Sequence, residues 1–207
     1  METKTIDVIP LFPSPLGIFN VEEDCSGLKK IITNYEFVRA DESSSDKSYI
    51  TTDLNILENF SKEKDIIIKY FNIYKNELFK LEDQNFQMTT SWGTKTEPEG
   101  YSQFHNHQNC VYSGVFYFDE IPGGNLEFES YGIYPRQIIL NDPTEWGVFN
   151  SRSWILPAKQ NLLVFFPSYL YHRITKNTSS KSRYSLSFNF FPIGSFGVND
   201  SSITVYL

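Results

Sequence analysis

After Gln84 the chain changes its period. Upstream, between Leu57 and Leu81, apolar residues (Phe60, Ile67, Phe71, Ile73, Tyr74, Leu78) return at helical spacing. Downstream they fall into short strand-like runs: "FQMTTSWGT" (86–94), "CVYSGVFYF" (110–118), "NLEFES" (125–130), "SWILP" (153–157), "NLLVFF" (161–166) and "RYSLSFNFF" (183–191). Turn signals such as "IPGGN" and "NDP" separate them. Neighbouring side chains of a strand point to opposite faces of its sheet, so strands of this kind must bury at least one face against another layer. Helices first and strands after predict an α+β fold whose later part closes as a sandwich or barrel. The 18 Phe and 13 Tyr suit such a pleated surface.

The helix over 57–81 is predicted to begin near Ser61. A second is predicted over Val21–Tyr35 ("VEEDCSGLKKIITNY"), with acids first and lysines later, as the helix dipole prefers. Residues 6–20 read as extended, because Pro10, Pro13 and Pro15 forbid helix there. A length of 207 residues suits a single domain, with a helical part over about 1–83 and a strand-built part over about 84–207. "DESSSDKS" (41–48) reads as a polar loop, and the weakly periodic stretch 131–152 as a long excursion of the kind that often serves as a lid.

The charge balance, 18 − 25 = −7, speaks against a nucleic-acid partner, and the one basic cluster, "KNTSSKSR" (176–183), reads as a solvated loop. Cys25 and Cys110 have no zinc-type or CxxC spacing, which fits a reducing compartment. The N-terminus shows no signal-peptide apolar region and no run is long enough to span a membrane, so a soluble cytoplasmic protein is expected.

The chain has three histidines. His105 and His107, in "FHNHQNC", are two residues apart and share a face if that segment is extended; His172 follows far downstream in "YLYHRIT". Three imidazoles converging from two strands hold a metal or form a hydrogen-bonded structural cluster. In "RYSLSFNFF", Arg183, Ser185, Ser187 and Asn189 occupy one face and Tyr184, Leu186, Phe188 and Phe190 the other. If helices pack the aromatic face, the polar face lines the interior. An inward Arg then needs an anion, either a protein acid or a dicarboxylate co-substrate bound bidentately. Ser113 and Asn189 read as inward polar residues satisfied by structural water. Cys110, beside the histidines, reads as a free thiol rather than a nucleophile, since no orienting group or oxyanion site accompanies it.

In order along the chain, "HNH" (105–107), "SGVFYF" (113–118), "GGNLEFE" (123–129), "PAKQNLLVFFP" (157–167), "YHRI" (171–174) and "RYSLSFNFF" (183–191) resemble the Fe(II)- and 2-oxoglutarate-dependent oxygenases. More narrowly, "LFPSPLGIF" together with "HNH…SGVFYF" resembles a group of uncharacterised 2OG-Fe(II) oxygenases of bacteria and phages. The resemblance implies a double-stranded β-helix, or jelly roll, with the N-terminal helices packed on one sheet. It implies Fe(II) on His105, His107 and His172, and 2-oxoglutarate held through its far carboxylate by Arg183 and Ser185, with Tyr117 reaching the same carboxylate. It also implies O₂ as co-substrate and hydroxylation of a small-molecule or peptidyl substrate.

One position departs from the pattern. Where the superfamily usually carries Asp or Glu, this chain carries His107. A carboxylate ligand offsets part of the metal's charge, so three neutral imidazoles leave the centre one unit more positive. Glu127 and Glu129 are the rival source of a carboxylate ligand. Three-histidine iron sites occur in cupin-type dioxygenases, so an oxygenase that does not use 2-oxoglutarate is the alternative enzyme, and a non-catalytic metal-binding jelly roll the alternative of another class.

Overall fold

The change of period becomes a change of layer. The computed structural model describes residues 6–40, 47–130 and 142–207. Strand β1 (Gly17–Asn20) leads to helix α1 (Ser26–Ile32), strands β2 (Phe37–Arg39) and β3 (Ser48–Thr51), and helix α2 (Ser61–Phe79). Eight further strands follow: β4 (Asn85–Thr96), β5 (Tyr112–Tyr117), β6 (Leu126–Glu129), β7 (Ser153–Leu156), β8 (Leu162–Pro167), β9 (Tyr171–Ile174), β10 (Arg183–Phe196) and β11 (Ile203–Val205).

The larger sheet runs β1-β8-β5-β10-β4-β3-β2, with β11 paired to β10; the smaller runs β7-β6-β9. All the pairings between these strands are antiparallel. Each central strand of the larger sheet divides its side chains between two cores. Phe116, Leu163, Phe165, Leu186, Phe188 and Phe190 face outward and pack under α1 and α2, against Leu28, Ile32, Ile67, Phe71 and Tyr74. Val115, Tyr117, Val164 and Phe166 face inward and meet Leu126 and Phe128 of the smaller sheet. The inward polar face of β10 is therefore enclosed between two sheets, as its alternation requires when helices cover the other side.

Helix α2 docks mainly through aromatic rings. Phe71 stacks on Phe190 with centroids 3.8 Å apart and planes 3° from parallel, and also meets Phe86, Tyr112 and Phe165. Gly17 is required at its place because a Cβ there would lie 2.3 Å from the Tyr74 ring. The helix starts at Ser61 as the sequence predicts and ends on Lys80, whose left-handed backbone (φ 55°) closes the last turn.

Two expectations change. The helix predicted over 21–35 is confined to Ser26–Ile32. The Val21 amide instead donates to the Asn161 carbonyl at the entry to β8, and Asp24 accepts the Ser26 amide in a local turn, so the acidic stretch serves as a connection. The part before residue 84 also supplies three strands, β1, β2 and β3, of four, three and four residues, too short to show a period. Residues 41–46 of the expected polar loop and 131–141 of the expected lid lie outside the described residues.

Phe71→Ala is expected to destabilise the fold by about 3–5 kcal/mol, measured by denaturant unfolding. Ile73→Ala, on the exposed side of the same helix, is expected to stay within about 0.5 kcal/mol of the wild type.

Candidate metal centre

The three histidines come together. His105 lies outside the regular strands, but its amide donates to the His172 carbonyl and its carbonyl accepts the His172 amide in return, both at 2.9 Å. The His107 amide donates to the Ser168 carbonyl at 3.0 Å. These bonds lay the "HNH" segment along β9 and its preceding turn, and the period-two spacing then carries both side chains to His172. Ring centroids are 4.5 Å apart for His105–His172, 5.0 Å for His107–His172 and 5.4 Å for His105–His107. One ring nitrogen from each lies within 4.8 Å of the other two, and among the described residues no carboxylate or thiolate joins the group.

Each ring has its Nδ1 engaged: His105 with the Gln103 carbonyl at 2.9 Å, His172 with the Leu170 carbonyl at 2.9 Å, and His107 with Asn189 Oδ1 at 2.7 Å. An Nδ1–H facing an oxygen leaves Nε2 as the bare nitrogen that can face a metal. Burial pushes the His172 imidazolium well below its usual range, and the neighbouring His105 and His107 push it the same way. His107 is lowered to about 4, chiefly by burial, with the hydrogen bond to Asn189 opposing and His105 assisting. Both rings are thus neutral near pH 7, the form that binds a metal.

Arg183 begins β10 on the same inward face. It is 1% exposed, and none of its three guanidinium nitrogens has a hydrogen-bond partner. Its Cζ stands 5.0 Å from the centre of the Tyr117 ring, and the Tyr117 hydroxyl is likewise buried without a partner. Burial raises the Tyr117 phenol, with the guanidinium charge opposing, so the hydroxyl stays protonated and can donate. Gly124 makes room for the guanidinium: a Cβ there would approach Arg183 Nε to 3.1 Å, and its backbone sits at φ +61°. A buried cation and a buried phenol, four unpaired donor atoms in all, fit a carboxylate that no described residue supplies.

Between the histidines and the inner sheet face lies a cavity of about 390 Å³, bordered by Tyr49, Trp92, Thr94, Phe104, Ser185 and the three imidazoles. Ser185 contacts Thr94 through their hydroxyls and is the next inward residue after Arg183. The three imidazoles border this cavity, and Arg183 lies one inward position beyond Ser185 on β10.

Three readings of the sequence are revised. Glu127 is not a rival ligand: Phe128, not Glu127, lies opposite His172 in the β6–β9 pairing, and Glu127 turns away to accept the Arg173 Nε–H at 2.7 Å. Arg173 in turn covers the Phe104 ring at 4.4 Å. The basic cluster 176–183 is more than a solvated loop, because Asn177 is fully buried and donates to the Thr96 and Lys181 carbonyls, fixing the approach to Arg183. Ser113 and Asn189, read as bound to structural water, contact His107 directly. Their inward parity was visible in the sequence; their partner was not. Cys110 is a free thiol, 3.9 Å from the Ser113 hydroxyl.

Residues 90–189 match the family described as "Putative 2OG-Fe(II) oxygenase". Over these residues the chain is similar to that family. Fe(II) and 2-oxoglutarate are the metal and co-substrate that give the 2OG-Fe(II) oxygenases their name, and the histidine triangle and unpaired Arg183 fall inside the matched span. The fold agrees with solved structures. A prolyl-4-hydroxylase from Pseudomonas putida superimposes with a TM-score of 0.52 at 16% identity, covering 80% of this chain and 81% of that one. HygX from Streptomyces hygroscopicus, solved with nickel and 2-oxoglutarate bound, gives 0.55 at 9%, covering 86% and 83%. SnoK, a non-heme alpha ketoglutarate dependent carbocyclase from nogalamycin biosynthesis, gives 0.60 at 10%, covering 86% and 79%. At these identities the likeness concerns the fold. No curated protein matches the chain by sequence.

Replacing His107 or His172 by Ala is expected to weaken Co(II) binding by more than the roughly 10–100-fold that loss of a supporting hydrogen bond costs, read by anaerobic titration. Glu127→Ala is expected to bind as the wild type does; loss of metal from that variant with retention in His107→Ala would put the ligand set in error.

Proposed function

We propose that this protein is an Fe(II)- and 2-oxoglutarate-dependent dioxygenase that hydroxylates a small-molecule or peptidyl substrate. The observation that carries this reading is the buried, unpartnered Arg183 guanidinium on the same inward sheet face as the histidine triangle. A metal site alone would serve many chemistries. A metal site with a cationic socket beside it suits a co-substrate that has an anionic group at each end.

In this reading His105, His107 and His172 hold the iron through Nε2, and Arg183 takes the far carboxylate of 2-oxoglutarate in a bidentate pair. Tyr117 donates its hydroxyl to that carboxylate, and Ser185, held by Thr94, borders the path between the two ends. Bound iron supplies the reaction of O₂ with 2-oxoglutarate, giving succinate and CO₂ and placing one oxygen atom in the substrate C–H bond. The protein's remaining task is exclusion of water, to which Trp92, Phe104 and Phe166 around the cavity contribute. We assign the two-sheet core to the double-stranded β-helix and treat 1–207 as one domain. Two cysteines that stay free suit a reducing, cytoplasmic setting. Among the described residues no helix is long and apolar enough to cross a membrane.

The alternative, a three-histidine dioxygenase without 2-oxoglutarate, leaves Arg183 and Tyr117 unexplained. Hydroxylation rather than another oxidative outcome is the default for the class, although SnoK is a carbocyclase.

Anaerobic addition of Fe(II) and 2-oxoglutarate is expected to give a visible charge-transfer band, and air is expected to convert 2-oxoglutarate to succinate. Arg183→Leu removes two charge-assisted hydrogen bonds, so 2-oxoglutarate affinity is expected to fall by about 100-fold or more, and Tyr117→Phe by about 10-fold. Succinate formation indifferent to Arg183→Leu would overturn the assignment.

A further inference from the structure

One polar network touches the metal ligands without being among them. Asn189 lies on the inward face of β10, where the pairing with β4 shifts register and leaves Thr89 out of the ladder. Its Oδ1 lies 2.7 Å from Nδ1 of His107 and accepts from Oγ of Ser113 at 2.8 Å, while its Nδ2 donates to Oγ1 of Thr90 at 3.0 Å. Ser113 Oγ is also 2.8 Å from Ser168 Oγ and 2.9 Å from His107 Nδ1.

These contacts determine where the imidazole hydrogen sits. An amide oxygen has no proton to give, and two facing lone pairs at 2.7 Å would repel, so Nδ1 of His107 carries the hydrogen. A neutral imidazole has only one N–H, which leaves Nε2 bare. Reversing the amide would point Nδ2 at Nδ1, move the hydrogen to Nε2 and close His107 to a metal. In the structure the amide stands the productive way round, with Oδ1 toward Nδ1 of His107 and Nδ2 toward the Thr90 hydroxyl. The equivalent supports of His105 and His172 are backbone carbonyls, so His107 is the ligand whose orientation depends on a side chain.

We propose that Asn189 is a positioning residue that selects the metal-binding tautomer of His107 and does so without adding charge to the centre. The proposal rests on reading the histidine triangle as a metal site. In carboxylate–histidine–metal arrangements the supporting group is an anion that makes the imidazole a stronger donor. Here the ligands are three imidazoles and their supports are an amide and two carbonyls, all uncharged. A divalent metal held this way keeps its full attraction for an anionic co-substrate, which complements the loss of a carboxylate at position 107. Asn189 thus extends to the supporting layer the charge economy that His107 sets among the ligands.

The test begins with the metal-free protein, whose three histidines give a readable long-range ¹H–¹⁵N spectrum of ring tautomers. The wild type is expected to show His107 as the Nδ1–H form, and Asn189→Leu to show a mixture or the Nε2–H form. Co(II) affinity of Asn189→Leu is expected to fall about 10–100-fold, with the circular dichroism spectrum unchanged. Asn189→Asp is expected to keep the Nδ1–H form and to lower the Fe(III)/Fe(II) potential, an effect that a merely space-filling residue would not produce. Wild-type tautomer and affinity in Asn189→Leu, or a wild-type potential in Asn189→Asp, would overturn the proposal. A wild-type protein that binds no metal would instead contradict the proposed function, while the tautomer spectrum would still decide the role of Asn189.

Discussion

A guanidinium sealed inside the sandwich with no partner is the constraint around which the rest of the molecule is arranged. Burying such a charge costs several kcal/mol unless an anion meets it, and among the described residues none does. The protein does place an unpaired phenol beside it, a glycine that leaves room for it, and a buried asparagine that fixes the loop leading to it. The aromatic faces of the same strands are packed under α2, and that packing turns the polar face of β10 inward. Packing on the outer side of the sheet and a buried, unpaired guanidinium on the inner side follow from one alternating sequence.

Charge also ties the two ends of the site together. Three neutral imidazoles leave a divalent metal with its whole charge, and Arg183 adds another positive group on the same sheet face. A dicarboxylate brings two negative charges, one to each end. In the proposed site, His107 in place of an acidic ligand would strengthen the attraction for an anionic co-substrate rather than remove it, and would raise the potential of a bound iron.

Much of this was legible in the sequence because it is local. The strand runs, the start of α2 at Ser61, the spacing of "HNH" and the inward parity of Arg183 and Asn189 depend only on neighbours along the chain. What the sequence left open depends on pairing between distant segments. Helix α1 is shorter than its pattern because the Val21 amide is claimed by Asn161. Glu127 ceases to be a ligand once the register of β6 against β9 sets Phe128, not Glu127, opposite His172. Asn189 meets His107 beside a one-residue irregularity at Thr89 that no periodicity announces.

The most direct test of the account is a crystal structure of the protein with Mn(II), which does not turn over, and 2-oxoglutarate. The expected result is the metal on Nε2 of His105, His107 and His172, with the far carboxylate of 2-oxoglutarate hydrogen-bonded to the Arg183 guanidinium and the Tyr117 hydroxyl. Metal held by other residues, or 2-oxoglutarate bound with Arg183 still unpartnered, would contradict it.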